Sequence, residues 1–153
     1  MSSTRTWAWA VAAWICVIFF SSTSLALKWA DAGFSFFSSE FLQSLKDHGN
    51  SYDLVHLLAD KGFHVTLFCV LAVLLWLALG SQDKKSWIVL GAGAAVGCCS
   101  EFLQRFFPDR DPAIRDVLIN TGGTALGIAI CVVIARLPWF SRQPSEPSQL
   151  VRS

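Results

Sequence analysis

Long apolar stretches alternate with short polar ones along the chain. Asp, Glu, Lys and Arg are absent from Thr6–Leu27, Gly62–Gln82 and Val117–Ala135, and a shorter uncharged stretch covers Ser86–Ser100. A helix rises about 1.5 Å per residue, so about 20 largely apolar residues cross roughly 30 Å of hydrocarbon. The pattern predicts an all-α integral membrane bundle of four transmembrane helices, at about 7–27, 53–80, 87–106 and 116–136. Between the first two, Phe34, Phe37, Phe41 and Leu45 recur at helical spacing, with Glu40, Lys46 and Asp47 among them. That spacing predicts a short outer amphipathic helix, lying in the interface plane or closing the bundle as a lid.

The two ends of the chain need separate readings. Arg5, the apolar Trp7–Phe20 and then Ser24-Leu25-Ala26 have the layout of a signal peptide. The uncharged stretch is of spanning length, however, and reads as a retained first helix. After Leu137, Pro138, Pro144 and Pro147 stand among Ser, Gln and Arg, the composition of a disordered tail. One membrane domain over 1–137 is therefore followed by a disordered cytoplasmic tail over 138–153.

Composition agrees with the pattern. Hydrophobic residues make up 54% of the 153 positions and charged residues 15%, against about 25% charged in a soluble domain. Mean hydropathy is +0.50. Net charge is +1 with no basic tract, which gives no footprint for nucleic acid. The five cysteines all lie in apolar runs, at no zinc or redox spacing, and read as small buried hydrophobes. No cofactor is implied.

Trp7, Trp9, Trp76, Trp87 and Trp139 fall near segment ends on one side and Trp29 on the other, as interfacial tryptophan does. Trp14 falls mid-segment, outside that rule. Basic residues tie, with Arg5, Lys84, Lys85, Arg136, Arg142 and Arg152 on one side and Lys28, Lys46, Lys61, Arg105, Arg110 and Arg115 on the other. The rule weights short flanks, and the turn Ser81–Ser86 is short with adjacent lysines. Both termini are therefore expected in the cytoplasm.

The informative residues break the apolar pattern. Ser86–Ser100 gives roughly 22 Å of helix and needs about five more residues to cross. Glu101 and Gln104 thus lie at or inside the outer edge of the hydrocarbon, where an ionisable group is a functional hypothesis by default. Ala94, Gly97, Glu101 and Gln104 share one helix face, and Asp116, Asn120, Gly123 and Gly127 share another. The pairs Gly93/Gly97 and Gly123/Gly127 predict close antiparallel packing of helices three and four. Their polar faces should then meet, with Glu101 opposite Asn120.

Helix two adds Asp60, Lys61 and His64 at its outer end, and the turn Pro108-Asp109-Arg110-Asp111-Pro112 holds Arg110 above the same region. The expected cluster sets Asp60, Glu101 and Asp116 against Lys61 and Arg110, with His64, Gln104 and Asn120 as neutral hydrogen-bonding groups. Glu101 and His64 are the candidate acid and base, because apolar surroundings shift such groups. Asp60, Lys61, Gln104, Arg110, Asp116 and Asn120 are the candidate ligand contacts, the two cations suiting phosphate or carboxylate. No metal is expected, since cations adjoin the carboxylates and one histidine among carboxylates is poor zinc chemistry. His48 and His56 read as solvated groups.

Taken in order, Asp60-Lys61-x-x-His64, Glu101-x-x-Gln104, Pro108-x-Arg110 and Asp116-x-x-x-Asn120-x-x-Gly123-x-x-x-Gly127 resemble the VanZ-like membrane proteins, over about residues 57–130. The chain departs from that family's pattern at Val65, where an aromatic is common, and at Asp109, where a glycine precedes the arginine. The resemblance implies a bacterial plasma-membrane protein in a family named for a member linked to low-level teicoplanin resistance. It implies no established reaction.

Two functions follow as expectations. One is a polar, charged site at the outer leaflet that binds or acts on an envelope lipid or a peptidoglycan- or glycopeptide-related component, with binding ahead of catalysis. The other is a structural subunit whose polar residues only hold the bundle together. The bilayer is the expected partner in both, nucleic acid is in neither, and self-association is compatible with each.

Overall fold

The computed structural model describes residues 2–25, 28, 50–107 and 113–137. They form α1 (Ser2–Ser21), α2 (Asn50–Leu79), α3 (Lys85–Gln104) and α4 (Ile114–Arg136), with no strand among the described residues. The expected outer amphipathic helix, Arg110 and the tail 138–153 lie outside the described residues.

Three segments are long and apolar enough to cross a membrane: Asp60–Leu79, Lys85–Gln104 and Ile114–Arg136. The apolar part of α1, Thr6–Ser21, is shorter. Helix one thus ends at Ser21, six residues before its expected end at 27, and the cause is local. Ser21 and Ser22 both donate their hydroxyls to the Ile18 carbonyl, and Thr23 donates to that of Phe20. These side chains compete with the backbone for helical carbonyls, which favours an end over continuation.

The 30 residues of α2 extend about 45 Å, so its first turns project beyond the hydrocarbon when Asp60–Leu79 spans it. Asp60 and Lys61 therefore sit at the membrane edge. Gly80, with φ 59°, ends α2 in the left-handed conformation that glycine adopts without a Cβ penalty. A short turn then leads to Lys84, the N-cap of α3, also left-handed at φ 60°.

Inside and outside are reversed relative to a soluble bundle. The buried residues of α3 are Val89, Gly93, Gly97, Ser100, Glu101 and Gln104, and those of α4 are Asn120, Gly123, Thr124, Gly127 and Cys131. Outward go Trp87, Ile88, Phe102, Ile114, Leu118, Leu126, Val133 and Ile134. Lipid takes the large apolar side chains, while small and polar groups join the helices. The same reversal corrects the reading of the cysteines as buried. Cys131 is buried, but Cys16, Cys98 and Cys99 are exposed on the bundle surface, where hydrocarbon serves an apolar thiol as well as a protein core does.

At the centre, α2 packs against each of the other three helices, while among the described residues α1 touches α2 and α3 but not α4. Ile18, Leu67, Phe68 and Leu71 form the apolar core, with Trp14, Ile15 and Val96 against it. Trp14 now has its reason. Its indole N–H donates to the Leu67 carbonyl at 2.9 Å, so this tryptophan joins two helices instead of marking an interface. Deeper toward the site, the hydroxyls of Ser22 and Ser100 lie 2.7 Å apart and tie α1 to α3.

Candidate functional site

The glycines decide how the helices around the site approach. A Cβ on Gly97 would lie 3.3 Å from Cβ of Asn120, and one on Gly93 would overlap the Thr124 side chain. A Cβ on Gly123 would lie 2.6 Å from the Val65 carbonyl oxygen, and one on Gly127 would lie 2.5 Å from that of Cys69. The α3 pair thus receives α4, as expected. The α4 pair receives the backbone of α2 instead of α3, a correction to the expected pairing. A glycine pair marks a groove for a close neighbour, and here the α2 carbonyls four residues apart fill it.

The register shifts with that correction. Asn120 sits against Gly97, one turn deeper than Glu101, so the expected opposition of Glu101 and Asn120 is offset by a turn. Glu101 instead reaches the start of α4. Its Oε2 accepts the backbone N–H of Ala113 at 3.3 Å, and Ala113 is the N-cap of α4 with no side-chain cap of its own. Its Oε1 accepts from Gln104 Nε2 at 3.4 Å. A carboxylate from one helix therefore satisfies a terminal N–H of the next, where the positive end of the helix dipole also favours it.

On the α2 side, Lys61 Nζ donates to Asp116 Oδ2 at 2.7 Å and lies 3.4 Å from Asp60 Oδ2. One ammonium is shared by two carboxylates. Asp116 occupies the first turn of α4, so the dipole adds to its stabilisation. Arg115 approaches Asp116 Oδ1 at 3.7 Å, but its side chain is 71% exposed and such a pair contributes little.

The neutral members lie deeper. His64 is buried on α2, one turn below Asp60. Asn120 is 1% exposed, and neither atom of its carboxamide has a hydrogen-bond partner among the described residues. Phe68, fully buried, touches the positions of both Gly97 and Gly123 and floors the cluster with carbon.

Beside Glu101 a groove of about 380 Å³ opens between the end of α3 and the start of α4. Glu101 and Arg105 line it together with Cys98, Phe102, Ile114 and Val117. Arg105 and these apolar residues were not among the expected site residues. A cation one position after Gln104 carries little signal by itself, and the groove exists only where two helix ends diverge.

Of the expected residues, the structure joins Asp60, Lys61 and Asp116 in one ion cluster and Glu101 with Gln104 in another contact at the same end of the bundle. It buries His64 and Asn120 beneath them. Among the described residues, no three His, Cys, Asp or Glu side chains converge as metal ligands would.

Searches of curated proteins and of solved structures return no match. The family profile described as VanZ/LLP1 matches residues 7–135, which takes in all four helices and the polar cluster. By that match across most of its length, this multi-pass helical membrane protein belongs to the VanZ-like family.

Proposed function

We propose that the polar end of the bundle binds the headgroup of a cell-envelope amphiphile at the outer leaflet, a lipid or a lipid-linked peptidoglycan or glycopeptide-related component. The groove between α3 and α4 carries this reading. It sets a carboxylate and a guanidinium, Glu101 and Arg105, beside the apolar surfaces of Phe102, Ile114 and Val117. Arg105 suits phosphate or carboxylate, Glu101 accepts from hydroxyl or amine groups, and the apolar wall suits an acyl or prenyl chain. Where a reaction follows binding, Glu101 and His64 are the acid–base candidates.

A groove-filling substitution tests this directly. Val117→Phe and Cys98→Phe should each reduce the envelope lipid that copurifies with the protein, measured by native mass spectrometry, at unchanged abundance. Undiminished lipid in both variants would overturn the reading.

A scaffold role is the second reading, and the shared ammonium of Lys61 favours it because it ties α2 to the first turn of α4. Glu101→Gln separates the two. Glutamine keeps the shape and one acceptor for the Ala113 N–H, so a binding site predicts near-normal abundance with loss of complementation in a deletion strain. Full complementation at normal abundance would remove Glu101 from the site, and parallel loss of protein and phenotype would favour the scaffold.

Orientation belongs to the same proposal, with the Ser81–Ser86 turn and the C terminus inside and residues 28–52 outside the plasma membrane. In a cysteine-free background, an impermeant thiol reagent should label position 47 and spare position 84 in intact cells. The opposite result inverts the topology.

A further inference from the structure

The end of the bundle opposite the polar cluster carries a second hollow that the headgroup reading does not use. It has about 510 Å³, lies open over the α2–α3 turn and is bracketed by Trp76 and Trp87, with Lys84, Lys85 and Ser86 on its wall beside one carboxylate, Asp83. Lys85 is held in place, its ammonium 4.0 Å over the Trp76 ring and donating to the Gly80 carbonyl. Lys84 is exposed, and among the described residues it pairs with no carboxylate. Its left-handed φ of 60° is unusual for a residue with a Cβ. The first turn of α3 contains no acidic residue.

Charge across the two ends points the same way. The start of α1, the α2–α3 turn and the end of α4 lie together, and their helices and turn carry Arg5, Lys84, Lys85 and Arg136 against Asp83 alone. At the other end the described residues balance, with Asp53, Asp60, Glu101 and Asp116 against Lys28, Lys61, Arg105 and Arg115. Tryptophan settles at the headgroup level of a bilayer, so Trp76 and Trp87 place the hollow beside lipid phosphates instead of in bulk water. Lysines there attract anionic headgroups.

We infer that this hollow is a binding site for the phosphate of an anionic phospholipid, with Lys84 and Lys85 as the cationic contacts, Ser86 as a hydroxyl donor and the two indoles as walls. The phosphate oxygens accept hydrogen bonds from the ammonium groups, and the exposed Trp87 ring covers the glycerol end of the lipid. The site is independent of the Glu101 groove.

Native mass spectrometry of the full chain, released from nanodiscs of mixed phosphatidylglycerol and phosphatidylcholine, tests it. Wild type should retain phosphatidylglycerol in preference to phosphatidylcholine. Lys84→Gln should lower that preference about fivefold and Lys84→Gln/Lys85→Gln about thirtyfold, from roughly 1 kcal/mol per surface lysine. Lys84 is exposed, so the single variant folds even where loss of the Lys85 contacts disturbs the turn. Equal retention of the two lipids by wild type, or an unchanged preference in Lys84→Gln, would overturn the inference. Displacement of the bound lipid by millimolar inorganic phosphate would reassign the hollow to free phosphate and overturn the lipid assignment.

Discussion

Gly123→Val is expected to remove most of the protein from the membrane. A Cβ at this position would stand 2.6 Å from the Val65 carbonyl oxygen and 3.0 Å from its Cα. Both are backbone atoms of a helix, so no rotamer change relieves the overlap. The two helices must separate, and separation also breaks the packing of Gly127 on Cys69 and Ala72. Overpacking typically costs about 1–3 kcal/mol and occasionally more, and rigid opposing backbone puts Gly123→Val at about 3 kcal/mol or above. Membrane abundance and thermal unfolding in detergent measure it. Gly122→Ala is the control one residue away, where an added Cβ meets nothing within 4 Å. Removing a glycine from a helix interior gains roughly 0.5–1 kcal/mol, so that variant should be at least as stable as wild type. Equal behaviour of the two variants would show that α4 does not pack on α2 through this face.

Breaking the Lys61 cluster is expected to be nearly as severe, and unequal between its partners. Removing one member of a buried ion pair typically costs about 3–5 kcal/mol because the other charge stays desolvated. Lys61 is 23% exposed and Asp116 13%, so the lower end of that range applies. Lys61→Met leaves Asp60 and Asp116 as two carboxylates with no shared cation between them. Asp116→Asn leaves Lys61 with Asp60 still 3.4 Å away. The lysine substitution should therefore cost about 3 kcal/mol and the aspartate substitution clearly less. The pair Lys61→Met/Asp116→Asn should recover part of the loss, since of these three residues Asp60 alone, 31% exposed, then keeps a charge. Melting temperatures of the three variants in detergent decide it. Equal costs for the two single changes would mean that Asp60 does not share the ammonium.

The amino-acid sequence by itself determined the class of this protein and the level at which its polar residues sit. Charge-free stretches of spanning length leave few alternatives to a helical membrane bundle, because hydrocarbon admits a backbone only when its own hydrogen bonds are satisfied internally. Helical spacing put Glu101 with Gln104, and Asp116 with Asn120, on single faces at one end, and the order of these residues carried the family resemblance. Helix ends followed where terminators were local, as at Gly80.

Relations between helices belonged to the tertiary structure. Periodicity shows which face of a helix is small or polar but not which neighbour meets it. Gly123 and Gly127 announced a close approach, and only the packed bundle chose α2 over α3. Trp14 broke the interfacial rule until a carbonyl 53 residues away accepted its N–H. The bond from the Ala113 N–H to Glu101 has no sequence signature, because a backbone N–H is present at almost every position and only geometry selects one. The groove beside Arg105 is of the same kind: it is the space left where two helix ends diverge, and no single residue encodes a space.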